Sequence, residues 1–206
     1  MNVIQNRQLA KLVYVAPEPL LEKNSSIVDE ITRGSEAVRH FTGSQKREYL
    51  EEYQAGFLAF MLKHILTKQT TSLNMEISVH TKEFGDCDCV IKRIVGGNPA
   101  EYKLVQLKQL PNHATNSQIE LQTIINGLQN KYKNRIVAIW VNRDIQIDLS
   151  KLKLGGLTIE QLWLFGVSAT EGITLHGGHI PDLKSGFWLV GKMVNGKPRS
   201  GMIKVE

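Results

Sequence analysis

Residues 84–110, FGDCDCVIKRIVGGNPAEYKLVQLKQL, predict two β-strands joined by a tight turn. The predicted strands cover residues 88–94 and 101–110, which are short segments rich in apolar residues. Residues 96–99, Gly-Gly-Asn-Pro, lie between them and are typical of a turn. We therefore interpret this stretch as a β-hairpin.

The second predicted strand carries two polar side chains, Gln106 and Lys108, which share one face because alternate residues of a strand point the same way. Asp88 begins the first strand, eighteen residues before Gln106, and an antiparallel hairpin can bring it beside this pair. A carboxylate, an amide oxygen and an ammonium group together suit hydrolysis of phosphodiesters with Mg²⁺, which prefers oxygen ligands. A structural alternative is that Asp88 marks a strand entrance and Lys108 extends from a sheet edge.

The segments around the hairpin predict an α-β-β-β-α-β order of elements. Residues 47–68 lack proline and repeat apolar residues at spacings of three and four, which predicts a helix. Residues 75–80 predict a strand. The spacing of Ser117 and Glu120 is that of a capping box, which predicts a second helix running on towards Tyr132. Residues 136–141, IVAIWV, predict a strand that is covered on both faces.

Asp88, its spacing to Gln106 and the sequence Gln106-Leu107-Lys108 resemble the motif of the PD-(D/E)xK nuclease superfamily in its QxK form. The resemblance covers roughly residues 45–142 and implies an α/β fold with a restriction-endonuclease-like core, a mixed central sheet flanked by helices. It implies that Asp88 and Gln106 bind Mg²⁺, with Mn²⁺ as a substitute, and that Lys108 serves the nucleophilic water. Two departures are that Cys87 stands where the proline of the motif would be and that Gln106 replaces the commoner acid.

The first predicted helix supplies a further candidate, because members of this superfamily often place a Glu or Gln from that helix at the metal site. At about 100° per residue, Gln54 falls within the apolar face of the helix, whereas Glu52 falls on the opposite, solvated side. Gln54 is therefore predicted as a catalytic residue, with Glu51 as the alternative because its direction borders the apolar face. A glutamine that bridges backbone groups of the core is the structural alternative.

Charge makes a nucleic-acid partner plausible, since the chain carries a formal net charge of +5. Asp86 could add a carboxylate to the site or could be an ordinary loop residue. Six cations flank the proposed site, although dispersed surface lysines are common: Lys92, Arg93, Lys103, Lys131, Lys133 and Arg135. The first five are the predicted phosphate contacts.

Composition and motifs argue against several other classes of protein. A content of 42% hydrophobic and 22% charged residues in 206 residues is that of a folded globular protein. No apolar run reaches the roughly 18 residues of a membrane span and no signal peptide is recognisable, so we expect a cytoplasmic protein without a membrane partner. Cys87 and Cys89 are too close for a comfortable disulfide and are expected to be free thiols. Motifs of serine hydrolases, P-loop NTPases and zincins are lacking.

These patterns divide the chain into an N-terminal arm at 1–44, a nuclease core at 45–145 and a β-rich C-terminal extension at 146–206. The extension is predicted to hold a short helix at 158–165 and a hairpin turn at Asn195-Gly196. The leading expectation is a Mg²⁺-dependent DNA endonuclease of restriction or anti-phage defence type, acting alone, as a homodimer or with a partner protein. The alternatives are a nucleic-acid-binding or assembly module of the same fold without turnover, and an interaction domain unrelated to nucleic acids.

Overall fold

A computed structural model of the protein describes residues 3–34, 41–69, 74–110, 116–141, 148, 151–168, 172–179, 188–194 and 197–203. Within them the helices are α1 (Val3–Ala10), α2 (Pro17–Arg33), α3 (Gly43–Gln69) and α4 (Ser117–Asn126). The strands are β1 (Met75–His80), β2 (Cys89–Val95), β3 (Glu101–Leu110), β4 (Ile136–Val141), β5 (Gln161–Ser168), β6 (Gly172–His179), β7 (Trp188–Val194) and β8 (Lys197–Ile203). Neighbouring strands of the sheet follow chain order from β1 to β8.

The fold is α/β with a mixed sheet, and the predicted α-β-β-β-α-β order is confirmed by α3, β1, β2, β3, α4 and β4. The chain forms two compact units, Met1–Leu104 with Met193–Pro198 and Val105–Lys192 with Arg199–Glu206. Among the described residues, no helix has the length and apolarity that crossing a bilayer requires.

The first unit contains two helices where an N-terminal arm was expected. Helix α2 has Pro17 in its first turn and ends at Gly34, whose φ of 64° gives the left-handed C-cap that glycine adopts easily. The polar segment Lys23 to Ser26, which suggested an arm, lies inside this helix, and Asn24 within it is fully buried. The region predicted as an N-terminal arm therefore contains a helix, and a polar residue of that helix is buried.

Helix α3 is buried on two sides, which corrects the predicted solvated side. Phe57 and Leu58 are fully buried on the apolar face, but Ala55 and Gly56 on the other side are buried too. A Cβ atom on Gly56 would lie 3.2 Å from a methyl carbon of Leu20, so this side of α3 packs closely against α2. The small residues permit the close approach of the two helices. The side of α3 that was predicted to face solvent therefore packs against α2.

The second unit is built on parallel strands. Strands β3, β4 and β5 are parallel neighbours, and β5, β6 and β7 continue as antiparallel neighbours. One face of the parallel strands is covered by α4 in a hydrophobic core of buried residues: Leu110, Leu121, Ile125, Leu128, Val137, Ile139, Val141, Leu152, Ile159, Leu162 and Leu164.

Two sequence predictions fail in this unit. Helix α4 ends at Asn126, and its N-cap is Asn116, whose side chain accepts a hydrogen bond from the Ile119 amide at 3.2 Å, so the cap lies one residue before the predicted Ser117. The short helix expected at 158–165 is replaced by β5, because a continuous apolar run buried on both faces has no periodicity that separates strand from helix. The predicted turn at Asn195-Gly196 lies outside the described residues.

Candidate functional site

Gln106 and Lys108 project from the same face of β3. The parallel register places Gln106 opposite Val137 and Lys108 opposite Ile139, without interruption between them. An uninterrupted register means that no bulge turns one of the two side chains away, so residues two apart share a direction. The prediction that Gln106 and Lys108 share one face of β3 is therefore confirmed.

The surroundings of this pair are apolar. Val137 and Ile139, the register partners of Gln106 and Lys108, belong to the hydrophobic core that α4 covers. Gln106 is only 6% exposed and Lys108 is half-buried. A buried amide and a half-buried ammonium group on a core face carry a desolvation cost that apolar residues would not.

An aromatic ring lies beside the ammonium group of Lys108. The Nζ atom of Lys108 is 5.1 Å from the ring centroid of Tyr132, and the guanidinium carbon of Arg135 is 6.0 Å from the same centroid. Both distances are within the range of cation–π attraction. Tyr132 has a φ of 54°, in the left-handed region that a bulky residue rarely adopts.

Asp88 is held by the loop before β2. The backbone groups of Phe84 and Cys87 exchange two hydrogen bonds of 3.0 and 3.2 Å, and Gly85 between them has a φ of 63°. Cys87 is buried in a small apolar cluster of this unit, whereas Asp86 is exposed and Asp88 is half-buried. The loop thus buries the thiol and leaves the two neighbouring carboxylates nearer the surface.

Two charged residues in the N-terminal half of α3, Arg47 and Glu51, act electrostatically on residues around Asp88. Arg47 donates a hydrogen bond to Glu51 at 2.6 Å. This bond is the main reason that the pKa of Arg47 is raised, and the negative charges of Asp88 and Glu83 raise it further. Burial is the main cause that raises the pKa of the Cys89 thiol, and Asp88 and Glu51 both add to it. Glu51 and Asp88 therefore act on the same neighbours within the first unit.

Gln54 was predicted to be buried and Glu52 to be exposed to solvent, and only the prediction for Gln54 is confirmed. Gln54 is 4% exposed and lies on the buried side of α3, as the helical periodicity predicted. Glu52 is not solvated: it accepts hydrogen bonds from Asn24 at 3.1 Å and from Thr81 at 3.3 Å, and it pairs with Lys82. Glu52 therefore connects α2, α3 and the segment after β1.

The five predicted nucleic-acid contacts differ in their surroundings. Lys92 lies over the ring of Tyr14, 5.5 Å from its centroid, and Arg93 pairs with Glu101. Lys103 is half-buried, whereas Lys131 and Lys133 are exposed between α4 and β4. Of these predicted contacts, Lys131 and Lys133 have the side chains most available to a polyanion.

The proposed Mg²⁺ ligands are oxygen atoms of two kinds, from a carboxylate and from an amide. Within the described ranges, no group of three or more His, Cys, Asp and Glu residues has the arrangement of a metal site. The proposed ligands are instead one carboxylate, that of Asp88, and the amide oxygen of Gln106. Each donor taken singly is of a type that Mg²⁺ accepts, since the ion binds carboxylate and amide oxygens and keeps several waters. Asp88 belongs to the first unit and Gln106 to the second.

The interaction of Arg47 with Asp88 and that of Tyr132 with Lys108 were not predicted from sequence. The spacing of Arg47 and Glu51, four residues apart on a helix, was a visible signal for their ion pair. No local signal indicated Tyr132, since a left-handed backbone favours Asn or Gly over Tyr.

Comparison of the chain with models of protein families, with curated proteins and with solved structures finds no match in any of the three.

Proposed function

We propose that this chain is a Mg²⁺-dependent nuclease that hydrolyses phosphodiester bonds, and specifically a DNA endonuclease of restriction or anti-phage defence type. The observation that carries the proposal is the polar pair Gln106 and Lys108 on a strand face that otherwise belongs to the hydrophobic core. Burying an amide and an ammonium group costs more in desolvation than burying apolar side chains, which favours a functional reason for this pair. The α-β-β-β-α-β order of elements also supports the resemblance to PD-(D/E)xK nucleases.

The proposed roles follow from the chemistry of each side chain. Asp88 and Gln106 are the proposed ligands of Mg²⁺, and Gln54 or Glu51 is the additional group from α3. The bound ion would supply the Lewis acidity that phosphodiester hydrolysis needs. Lys108 orients the attacking water and offsets the negative charge that develops on the phosphate, because its ammonium group donates hydrogen bonds and carries a full charge.

Nucleic-acid binding is assigned to the segment between α4 and β4. Residues 127–135, GLQNKYKNR, include three cations and no acid. Lys131 and Lys133 are both exposed in this segment. Cations of this kind bind phosphates without regard to base sequence, so they would give affinity and not specificity.

A second candidate function is a nucleic-acid-binding or assembly module without turnover. It is favoured by the amide groups at the proposed site, since Gln106 and Gln54 supply less negative charge for a divalent ion than acids would. The lack of a group of three metal-binding side chains in the described residues points the same way. Both candidates predict DNA binding, and only the first predicts cleavage that depends on a metal ion.

The deciding experiment incubates the purified protein with supercoiled plasmid, linear duplex, single-stranded DNA and RNA in Mg²⁺, Mn²⁺ or EDTA. An Asp88→Ala variant purified in the same way is the matched control for contaminating nucleases. Cleavage by the wild type in Mg²⁺ that disappears in EDTA and in Asp88→Ala supports the nuclease. Binding without cleavage in either metal supports the module. A protein that neither binds nor cleaves any of these nucleic acids contradicts both.

A further inference from the structure

The backbone around Tyr132 holds an unfavourable conformation. Asn130, Tyr132 and Asn134 have φ angles of 58°, 54° and 57°. Asparagine tolerates this left-handed region, but for a bulky residue such as tyrosine it is a conformational outlier. Conformations of this kind persist only where the surrounding structure imposes them, and they are concentrated at functional sites.

Hydrogen bonds fix the segment in this conformation. The amide of Asn134 donates to the carbonyl of Thr158 at 3.2 Å, and the hydroxyl of Thr158 donates to the carbonyl of Lys131 at 3.3 Å. The amide of Arg135 donates to the carbonyl of Tyr132 at 3.1 Å. The half-buried ring of Tyr132 also packs against the hydrophobic core of the second unit. The ring is thus fixed by both its backbone and its packing.

The fixed ring lies beside a side chain that is otherwise flexible. A lysine has four rotatable side-chain bonds and loses much entropy when it is held in one position. The Nζ atom of Lys108 is 5.1 Å from the ring centroid of Tyr132, within reach of the attraction between a cation and an aromatic face. The ring offers the ammonium group a favourable position on the face of β3 that carries Gln106.

We propose that Tyr132 is a positioning residue, whose ring holds the ammonium group of Lys108 where the reaction requires it. The kinetic consequence rests on the nuclease function proposed above, whereas the contact between the ring and Lys108 does not. The left-handed backbone of Tyr132 then has a function, because it places the ring beside the ammonium group of Lys108. The hydroxyl group is not needed for the interaction, because the face of the ring attracts the cation.

Three variants distinguish the effect of the Tyr132 ring from the effects of its hydroxyl group and of the left-handed backbone. Tyr132→Phe keeps the ring and removes the hydroxyl, whereas Tyr132→Leu keeps apolar bulk and removes the ring. Asn134→Gly is the matched backbone control, since it relaxes a left-handed residue with a φ of 57° two positions away and leaves Tyr132 intact. Unfolding midpoints of all three show whether the variants are folded.

The contact is measured first, without any assay of activity. The lysines are dimethylated by reductive methylation with ¹³C-formaldehyde and a borane reductant, a change that keeps their charge, and the Lys108 signal is assigned by its loss in Lys108→Arg. The N-methyl protons of Lys108 are expected to be shifted upfield by the ring current in the wild type and in Tyr132→Phe. The shift should be lost in Tyr132→Leu and kept in Asn134→Gly. An unchanged Lys108 signal in Tyr132→Leu would overturn the inference.

Kinetics then test the consequence of the contact. Under single-turnover conditions in Mg²⁺, we expect Tyr132→Leu to lower the cleavage rate about tenfold, with DNA affinity unchanged, and Tyr132→Phe to stay within about twofold of the wild type. Equal losses in Tyr132→Phe and Tyr132→Leu, or no loss in either, would reject the positioning role. If the wild type does not cleave at all, the proposed function fails, and the NMR result alone then decides whether Tyr132 holds Lys108.

Discussion

Arg47 and Glu51 form an ion pair along α3, with 2.6 Å between the Nε atom of Arg47 and a carboxylate oxygen of Glu51. The pKa of Arg47 is raised chiefly by this contact and additionally by the charge of Asp88. The α3 acid that interacts with the same cation as Asp88 is therefore Glu51. Gln54, one turn further along the helix, is almost completely buried. Glu51 and Gln54 are thus distinct candidates for the group that α3 contributes.

Asp88→Ala is expected to abolish cleavage that depends on Mg²⁺ and to leave the unfolding midpoint within a few degrees of the wild type. Asp88 is half-buried before the start of β2, so the proposed loss of an ion ligand should outweigh any loss of core packing. The measurement combines plasmid cleavage with thermal unfolding. Glu22→Ala, which removes an exposed acid from α2, is the control and should leave both unchanged. Full activity in Asp88→Ala would remove the proposed site, and an unfolded variant would show that Asp88 is structural.

The Mg²⁺ dependence of cleavage by variants distinguishes Glu51 from Gln54 as the proposed ligand from α3. If Glu51 is the α3 ligand, Glu51→Gln raises the Mg²⁺ concentration for half-maximal cleavage by roughly tenfold, since a charged ligand becomes neutral. If Gln54 is the ligand, Gln54→Ala lowers the rate and Gln54→Glu strengthens Mg²⁺ binding. Glu48→Ala removes a more exposed acid of the same helix and serves as the control. Equal and negligible losses from Glu51→Gln and Gln54→Ala would mean that α3 contributes neither residue.

Glu52→Ala is expected to lower the free energy of unfolding by about 1 to 3 kcal/mol, because the buried amide of Asn24 loses its charged acceptor. The side chain of Glu52 is 14% exposed, whereas that of Glu48, which pairs with the same Lys82, is 55% exposed. Glu48→Ala should therefore change stability by less than about 0.5 kcal/mol. Urea unfolding of both variants makes the comparison. A Glu52→Ala protein as stable as Glu48→Ala would contradict the role assigned to Glu52.

Three strands of the sheet were predictable from sequence together with their bounds. Met75–His80, Glu101–Leu110 and Ile136–Val141 have the predicted bounds, because each is a short apolar segment between turn residues. The common face of Gln106 and Lys108 was also predictable, since it depends only on alternation within a regular strand. These features follow from residues that are close together in the sequence.

Features that depend on distant partners were not predictable. The polar side of α3 was assigned to solvent because nothing near Glu52 in sequence indicates Asn24, whose partner role requires α2 to pack there. Residues 161–168 formed a strand and not a helix; residues 161–166 pair in parallel with β4, and residues 162–165 are buried on both faces. The place of Tyr132 beside Lys108 requires a left-handed tyrosine, which local preferences oppose. Tertiary contacts override local patterns at each of these positions.

Alkaline pH is expected to destabilise the protein. Burial raises the pKa of the Cys89 thiol above its ordinary value of 9.0, and burial likewise raises the pKa of Tyr14 and Tyr53 above 10.0. A raised pKa in the folded state gives stability that is present below the ordinary pKa and is lost as pH rises above it. The free energy of unfolding should therefore fall from about pH 9 upward, measured by urea unfolding. Cys89→Ala should reduce the slope, and a slope equal to the wild type would exclude a contribution from this thiol.

Lys108→Ala is expected to stop turnover and to preserve DNA binding, whereas Lys133→Ala should weaken binding and preserve the rate of the bound complex. Lys108 is half-buried on the face of β3 that carries Gln106, and in the proposed mechanism its charge would act on groups whose negative charge increases in the transition state. Lys133 is exposed and would contact a phosphate in the ground state and the transition state alike. The two lysines thus test catalysis and binding separately.

Duplex affinity is measured in Ca²⁺, and single-turnover cleavage is measured in Mg²⁺. For Lys108→Ala we expect a rate at least about a hundredfold lower with an unchanged dissociation constant, since general catalysis by a positioned side chain contributes factors of this order. For Lys133→Ala we expect weaker binding to every sequence and a salt dependence of binding that is smaller by about one phosphate contact. If Lys108→Ala loses affinity while its bound complex cleaves at the wild-type rate, Lys108 anchors a phosphate and is not the group that serves the attacking water.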